Sequence, residues 1–187
     1  IPKLAFGVDF FDGALGRMAN EGNSAGIGND TLLVDGSGDA YQGCFTAQAA
    51  ITLSHCGFAY NARAGTVVEH RIGLQAQSTS NGRADGTYLA AGSGKEEFTP
   101  PSDATWDGTG QEIALEASVT LARGERACIY VEPVGVPTGG NTATFRIKSG
   151  GVAPNRGATA YSNSAGSWSR HGEAPMLWCR SSGNQYF

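Results

Sequence analysis

The chain has 187 residues, which suits one domain of ordinary size, and its net charge is -4 at neutral pH. Glycine fills 28 positions, about twice its average share, whereas charged residues make up only 16 % of the chain. This composition excludes helical bundles, coiled coils and basic nucleic-acid-binding proteins, and we expect neither a nucleic-acid partner nor insertion into a membrane.

The beginning of the chain differs from the rest, and we expect residues 1–45 to form an irregular N-terminal arm and a Gly-rich segment. Phe6, Phe10 and Phe11 make the start apolar. A phenylalanine buries on the order of 150 Å² or more when packed, so the arm is expected to pack on a neighbouring subunit or on the edge of the main domain. An ordinary first strand is the alternative. A start at Ile1 without a leader fits either a processed protein or a piece of a longer one.

Hydrophobic residues then recur with a period of two, which is the pattern of half-buried β-strands. In residues 113–121, the clearest case, the odd-numbered residues are apolar and the even-numbered ones are small or polar. Bulky alternate residues in the strand at 127–131 predict that both of its faces are covered. Further strands are predicted by the same pattern at residues 70–76, 144–148 and 176–179.

Turn signals containing glycine separate these strands at short intervals. Examples are Asn81-Gly82, Asp85-Gly86 and Arg123-Gly124. Short strands with this spacing are typical of antiparallel sandwiches. The predicted fold class is therefore all-β, an antiparallel, jelly-roll-like β-sandwich over residues 46–187.

Four cysteines, at positions 44, 56, 128 and 179, have no CxxC spacing that would predict a zinc site. Their neighbours are apolar, which favours buried thiols. At least one disulfide is the alternative, and Cys44 with Cys56 would close the shortest loop. The redox compartment of the protein therefore stays open.

No motif predicts catalysis, and we expect no enzyme activity, no cofactor and no metal. Residues 22–26 match the G-x-S-x-G string, but their flanks predict neither the strand nor the helix that a nucleophilic Ser24 would need. The three histidines lack a second ligand at metal-binding spacing. Asp35, Ser37 and Asp39 share part of a calcium-loop pattern without its glycine and glutamate, so a plain turn is favoured.

Aromatic residues in polar loops carry the prediction of a ligand-binding surface. Sugar rings stack on aromatic faces while nearby polar side chains hydrogen-bond the sugar hydroxyls. Capping of the core by these rings is the alternative interpretation. The candidate ligand-binding residues are Trp106, Asp107, Tyr161, Trp168 and Arg170.

From Ile51 to Cys179, the order of features resembles a β-sandwich module found in tailed-phage virion proteins and in some secreted bacterial proteins. The segments that carry this resemblance are residues 51–58, 67–77, 81–90, 98–100, 119–124, 127–132, 161–168 and 174–177. The resemblance implies a non-enzymatic virion structural, decoration or tail protein. Such a protein would act as a homo-oligomer, in contact with other virion proteins, on a virion or outside the cell.

A carbohydrate-binding module of a secreted bacterial protein is the alternative that the candidate aromatic residues favour. Its ligand would be a glycan of a host surface.

Overall fold

The computed structural model describes residues 31–33, 39–47, 49–58, 60–65, 68–100, 111–135, 142–148, 159–164, 167–170, 174–175 and 177–182. Several residues singled out above lie outside these ranges, namely Phe6, Phe10, Phe11, Ser24, Asp35, Ser37, Trp106 and Asp107.

Fourteen β-strands and one 3-10 turn lie in the described residues. The strands are β1 (Thr31–Leu33), β2 (Ala40–Thr46), β3 (Ile51–Phe58), β4 (Tyr60–Ala64), β5 (His70–Gln77), β6 (Ala84–Tyr88), β7 (Lys95–Phe98), β8 (Gln111–Leu121), β9 (Arg126–Pro133), β10 (Thr142–Lys148), β11 (Thr159–Ser164), β12 (Ser167–Arg170), β13 (Ala174–Pro175) and β14 (Leu177–Arg180). The 3-10 turn spans Ala90–Gly92. None of the described residues belongs to a helix long and apolar enough to cross a membrane.

The strands pair antiparallel throughout and form three sheets. The seven-stranded sheet has the order β12-β11-β2-β9-β5-β6, with β7 also paired to β5. The three-stranded sheet has the order β14-β3-β8, and a third sheet has the order β1-β10-β13, with β4 paired to β10. The proposed division at residue 45 stays a prediction, with β1 and most of β2 on its N-terminal side.

The hydrophobic core lies between the seven-stranded and the three-stranded sheet. Phe58 and Phe98, one from each sheet, stack with ring centroids 4.7 Å apart. Two sheets that bury their facing sides against each other form a β-sandwich, so the predicted all-β sandwich is confirmed. The seven-stranded sheet contributes Tyr41, Phe45, Ile72, Leu74, Phe98, Ala127, Ile129 and Val131 to the core, and the three-stranded sheet contributes Leu53, Cys56, Phe58, Leu115, Val119, Leu121, Leu177 and Cys179.

The predicted alternation is confirmed most clearly in β8. Leu115, Val119 and Leu121 are buried, whereas the even-numbered residues from 114 to 120 are exposed. In β9, Ile129 points into the core while its neighbour Cys128 is buried on the opposite face, as predicted for a strand covered on both sides.

An irregularity in β3 keeps its core residues in place. The register with β8 shifts between Leu53 and His55, so that Leu53 faces Val119 while Cys56 faces Ile113. A bulge of this kind changes which face the following residues occupy. Leu53 and Cys56, three residues apart, therefore both point into the core.

The cysteine prediction is corrected by the structure. Cys44 forms a disulfide with Cys128, not with Cys56, and Cys56 and Cys179 are free buried thiols. Cys44 on β2 lies directly opposite Cys128 on β9 in the strand register. The bond joins residues 84 positions apart, so proximity in sequence did not indicate it.

Truncation of a buried side chain should lower the free energy of unfolding much more than truncation of an exposed one. Leu53→Ala is expected to lower the free energy of unfolding by about 2–5 kcal/mol, because Leu53 is fully buried and its removal leaves a cavity. Ser118→Ala, on the exposed row of β8, should change it by less than about 0.5 kcal/mol. Urea unfolding followed by fluorescence measures both, and equal effects would contradict this assignment of faces.

Candidate functional site

An aromatic patch lies on the outer face of the seven-stranded sheet, which is the face that points away from the core. The patch consists of Tyr88 on β6, Tyr130 on β9 and Trp168 on β12, all half-buried. Tyr88 and Tyr130 meet edge to face with centroids 6.5 Å apart, and Tyr130 and Trp168 are tilted at 6.4 Å. Because Tyr130 lies between the core residues Ile129 and Val131, strand alternation directs it outward.

Two cations lie over rings of the patch. The guanidinium carbon of Arg83 is 5.1 Å from the Trp168 ring centroid, and Nζ of Lys95 is 5.3 Å from that of Tyr88. Both distances are within the range of a cation–π interaction. Within the described part of the chain, neither cation forms an ion pair, so both keep an uncompensated positive charge beside an aromatic face.

A network of ion pairs connects the patch to β5 and β7. Arg71 donates hydrogen bonds to Glu97 at 2.6 Å and to Glu132 at 3.3 Å. The Tyr88 hydroxyl also donates to Glu132, at 2.9 Å. The three charged residues lie in one cross-strand row, since Arg71 is in register with both Glu97 and Glu132. Glu132 therefore fixes both the Tyr88 ring and the Arg71 side chain.

The surroundings of the patch raise the pKa values of Tyr88, Tyr130 and Arg71. Burial, and then the charge of Glu132, raise the pKa of Tyr130 to about 12. Burial is also the largest cause of the raised pKa of Tyr88, followed by the charge of Glu132 and the hydrogen bond to it. The hydrogen bond to Glu97 raises the pKa of Arg71, against a smaller lowering by burial. Near neutral pH, both phenols are thus uncharged donors and Arg71 is a cation.

Two buried glutamines hold β6 across the outer face. The Gln42 Oε1 atom accepts a hydrogen bond from the Ala84 N–H at 3.2 Å, and the Gln75 Oε1 atom accepts one from the Gly86 N–H at 3.0 Å. Among the described residues, the Nε2 group of Gln42 has no hydrogen-bond partner, although Gln42 is fully buried directly opposite Tyr130. A buried donor without a partner costs free energy of folding.

Three of the five predicted ligand-binding residues lie near this patch. Trp168 belongs to it, and the backbone register places Tyr161 and Arg170 opposite each other, with Tyr161 also opposite Gln42. Trp106 and Asp107 lie outside the described residues. The structure therefore brings the C-terminal candidates to one edge of the seven-stranded sheet.

Sequence reasoning missed Arg83, Tyr130 and Glu132 as members of this site. The sequence pattern places Tyr130 in the strand predicted at residues 127–131 and Arg83 directly after the Asn81-Gly82 turn signal, and neither position indicates a ligand. Their proximity to Trp168 depends on the order β12-β11-β2-β9, which local patterns do not reveal. The one usable signal was the alternation in β9, which places Tyr130 and Glu132 on the same face.

Ser54, His55 and Cys56 have side chains of types that serve in catalysis, but their contacts in the described structure do not form a catalytic arrangement. The Ser54 Oγ atom lies 2.8 Å from His55 Nδ1, but Ser54 and His55 are neighbours on one strand and no described carboxylate hydrogen-bonds His55. Cys56 is buried against Cys179, so it does not pair with His55. In the ranges that the structure covers, no group of three or more His, Cys, Asp or Glu side chains could hold a metal ion.

A second tryptophan, Trp178 on the three-stranded sheet, is too buried to offer its ring to a ligand. Trp178 is 2 % exposed and donates to Glu112 at 3.0 Å, and Glu112 also accepts from Arg180 at 2.7 Å. The indole lies over Gly57, where a Cβ atom would overlap it. These contacts satisfy the polar atom of Trp178 internally and support a structural role.

Comparison of the chain with known proteins gives no assignment. No protein-family model matches the chain, and a search of curated proteins finds no significant match. The interpretation of the patch therefore depends on its own geometry.

The raised phenol pKa values predict a loss of stability in alkali. A tyrosine whose pKa in the folded protein exceeds its unfolded value of about 10 contributes stability fully below that pH and loses it as the pH rises toward 12. We expect the urea midpoint to fall between about pH 10 and 12, and to fall less in Tyr130→Phe. The two proteins should unfold alike at pH 7. An unchanged pH dependence in the variant would contradict the burial described for Tyr130.

Proposed function

We propose that the protein is a non-enzymatic carbohydrate-binding module, with the aromatic patch as its ligand surface. The observation that carries this proposal is the chain of contacts Tyr88, Tyr130, Trp168 across three strands of one sheet face. The negative faces of aromatic rings attract the partly positive C–H groups of a sugar ring. Strands hold such rings at fixed spacing, which lowers the entropy that binding would otherwise cost.

The charges around the patch favour an acidic sugar. Arg71, Arg83 and Lys95 are opposed by Glu97 and Glu132, so three positive side chains face two negative ones in a chain whose total charge is -4. Arg71 is compensated by both carboxylates, which leaves Arg83 and Lys95 to pair with an anion. We therefore propose an oligosaccharide that contains uronic acids as the ligand class.

An oxidising location is part of the proposal. Disulfides persist in secreted proteins and on virion surfaces and are rare in the cytosol. The bond between Cys44 and Cys128 supports a protein that acts outside the cell or on a virion. Extracellular glycans would be accessible in either setting.

Binding to a glycan array tests this function directly. We expect uronate-containing oligosaccharides to bind more tightly than neutral ones, and less tightly as salt is added, because exposed charges are screened. Trp168→Ala should lower the affinity roughly tenfold or more through loss of stacking, and Trp168→Phe should retain part of it. Arg83→Gln should reduce only the preference for uronates.

Thr120→Ala is the matched control, since Thr120 is exposed on the opposite sheet. Its binding should equal that of the wild type. Absence of binding to every glycan, or equal binding by wild type and Trp168→Ala, would overturn the proposal.

A virion surface protein is the second candidate function. Most of the described residues in the segment from Ile51 to Cys179, which resembles the phage module, belong to antiparallel strands, and a sandwich of such strands is the fold that the resemblance implies. Such a protein would form a homo-oligomer and would also contact other virion proteins. The proposed glycan-binding patch would then face the host.

Native mass spectrometry of the purified chain tests the assembly. We expect a single oligomer of defined size that persists on dilution, because assembly contacts of a virion protein bury a large surface. A monomer at all concentrations would count against the virion candidate and leave the glycan proposal unaffected.

A further inference from the structure

The two free cysteines form a matched pair in the three-stranded sheet. Cys56 on β3 lies directly opposite Cys179 on β14 in the strand register. Their sulfur atoms are 3.5 Å apart, and both residues are fully buried. Directly opposite residues on antiparallel strands have Cα separations of about 4.5–5.5 Å, which fall inside the range that a disulfide spans.

We propose that Cys56 and Cys179 are the site of a second disulfide, formed when the protein matures in an oxidising compartment. The position repeats that of Cys44 and Cys128, which already form a cross-strand disulfide in the facing sheet. Each of the two packed sheets would then carry one covalent bond between neighbouring strands. The distance between the two sulfurs requires a change of side-chain torsion rather than a movement of strands.

The chemistry is thiol–disulfide exchange with a low-molecular-weight disulfide such as oxidised glutathione. A thiolate of the pair attacks the oxidant, forms a mixed disulfide and releases one small thiol. The second cysteine then attacks the mixed disulfide, forms the Cys56–Cys179 bond and releases the other small thiol. The two cysteines lose two protons and two electrons in total, and the electrons reduce the oxidant.

The core controls when this reaction takes place. Burial, followed by the hydrogen bond with Cys56, raises the pKa of the Cys179 thiol, so few thiolates exist in the folded protein. The bond should therefore form readily during folding and slowly afterwards. Once formed, it is shielded from reductants by the same core.

Mapping of disulfides tests the proposal. The denatured, reduced chain is refolded with a mixture of reduced and oxidised glutathione, denatured again without reductant and treated with N-ethylmaleimide. We expect no maleimide on any of the four cysteines and a peptide in which Cys56 is joined to Cys179. Maleimide on Cys56 and Cys179 with Cys44–Cys128 intact, a different pairing, or modification of all four cysteines would each overturn the proposal.

A variant without the first disulfide isolates the effect of the second. In Cys44→Ala/Cys128→Ala, we expect the Tm after oxidative refolding to exceed the Tm after refolding in a reductant by roughly 5–15 °C. The quadruple variant that also carries Cys56→Ala/Cys179→Ala is the control, and its Tm should be the same after both refoldings. An equal Tm after the two refoldings of the double variant would contradict the bond. If the double variant does not fold, disulfide mapping on the wild type still shows whether Cys56 and Cys179 are bonded.

Discussion

The burial of one row of side chains from each of two facing sheets is the interaction on which this structure depends. Because side chains alternate along a strand, a slip of one residue would move polar groups into the core, and the core therefore fixes the register of every strand that borders it. Even the irregular part of β3 obeys this constraint, since the shift after Leu53 returns Cys56 to the apolar side. The short hydrophobic rows of β5, β8 and β9 all contribute to this core.

The outer face of the seven-stranded sheet is held by polar contacts rather than by apolar packing, because β6 lies across part of it. Polar groups there replace missing main-chain partners, with Gln42 and Gln75 accepting hydrogen bonds from β6. Each glutamine oxygen satisfies a main-chain N–H of β6, so loss of either side chain would leave that donor without its partner. Tyr88 is positioned by that layer and by Glu132. The Tyr88 ring is consequently held by contacts from neighbouring strands rather than by a loop.

Local sequence patterns predicted the fold class well and the members of the aromatic patch only in part. The alternation of residues 113–121 and the turns at Gly82 and Gly124, both with positive φ, are local properties and were confirmed. Asp85-Gly86 looked like a reversal but lies inside β6, where Gly86 supplies the positive φ of a bulge. The Cys44–Cys128 bond depends on which distant strands become neighbours. The contact of Trp168 with Tyr130 depends on the same order, which is decided by the packing of the whole sheet rather than by any single segment.

The edge strands of the seven-stranded sheet affect how readily copies of the domain would aggregate. In the part of the chain that the structure describes, one end is β12, only four residues long, and the other is divided between β6 and β7, with a glycine kink in β6. Long, flat edges recruit strands from other molecules and lead to aggregation, whereas short and kinked edges discourage it. Copies of this domain that meet end to end would therefore have little straight main chain through which one sheet could extend into the next.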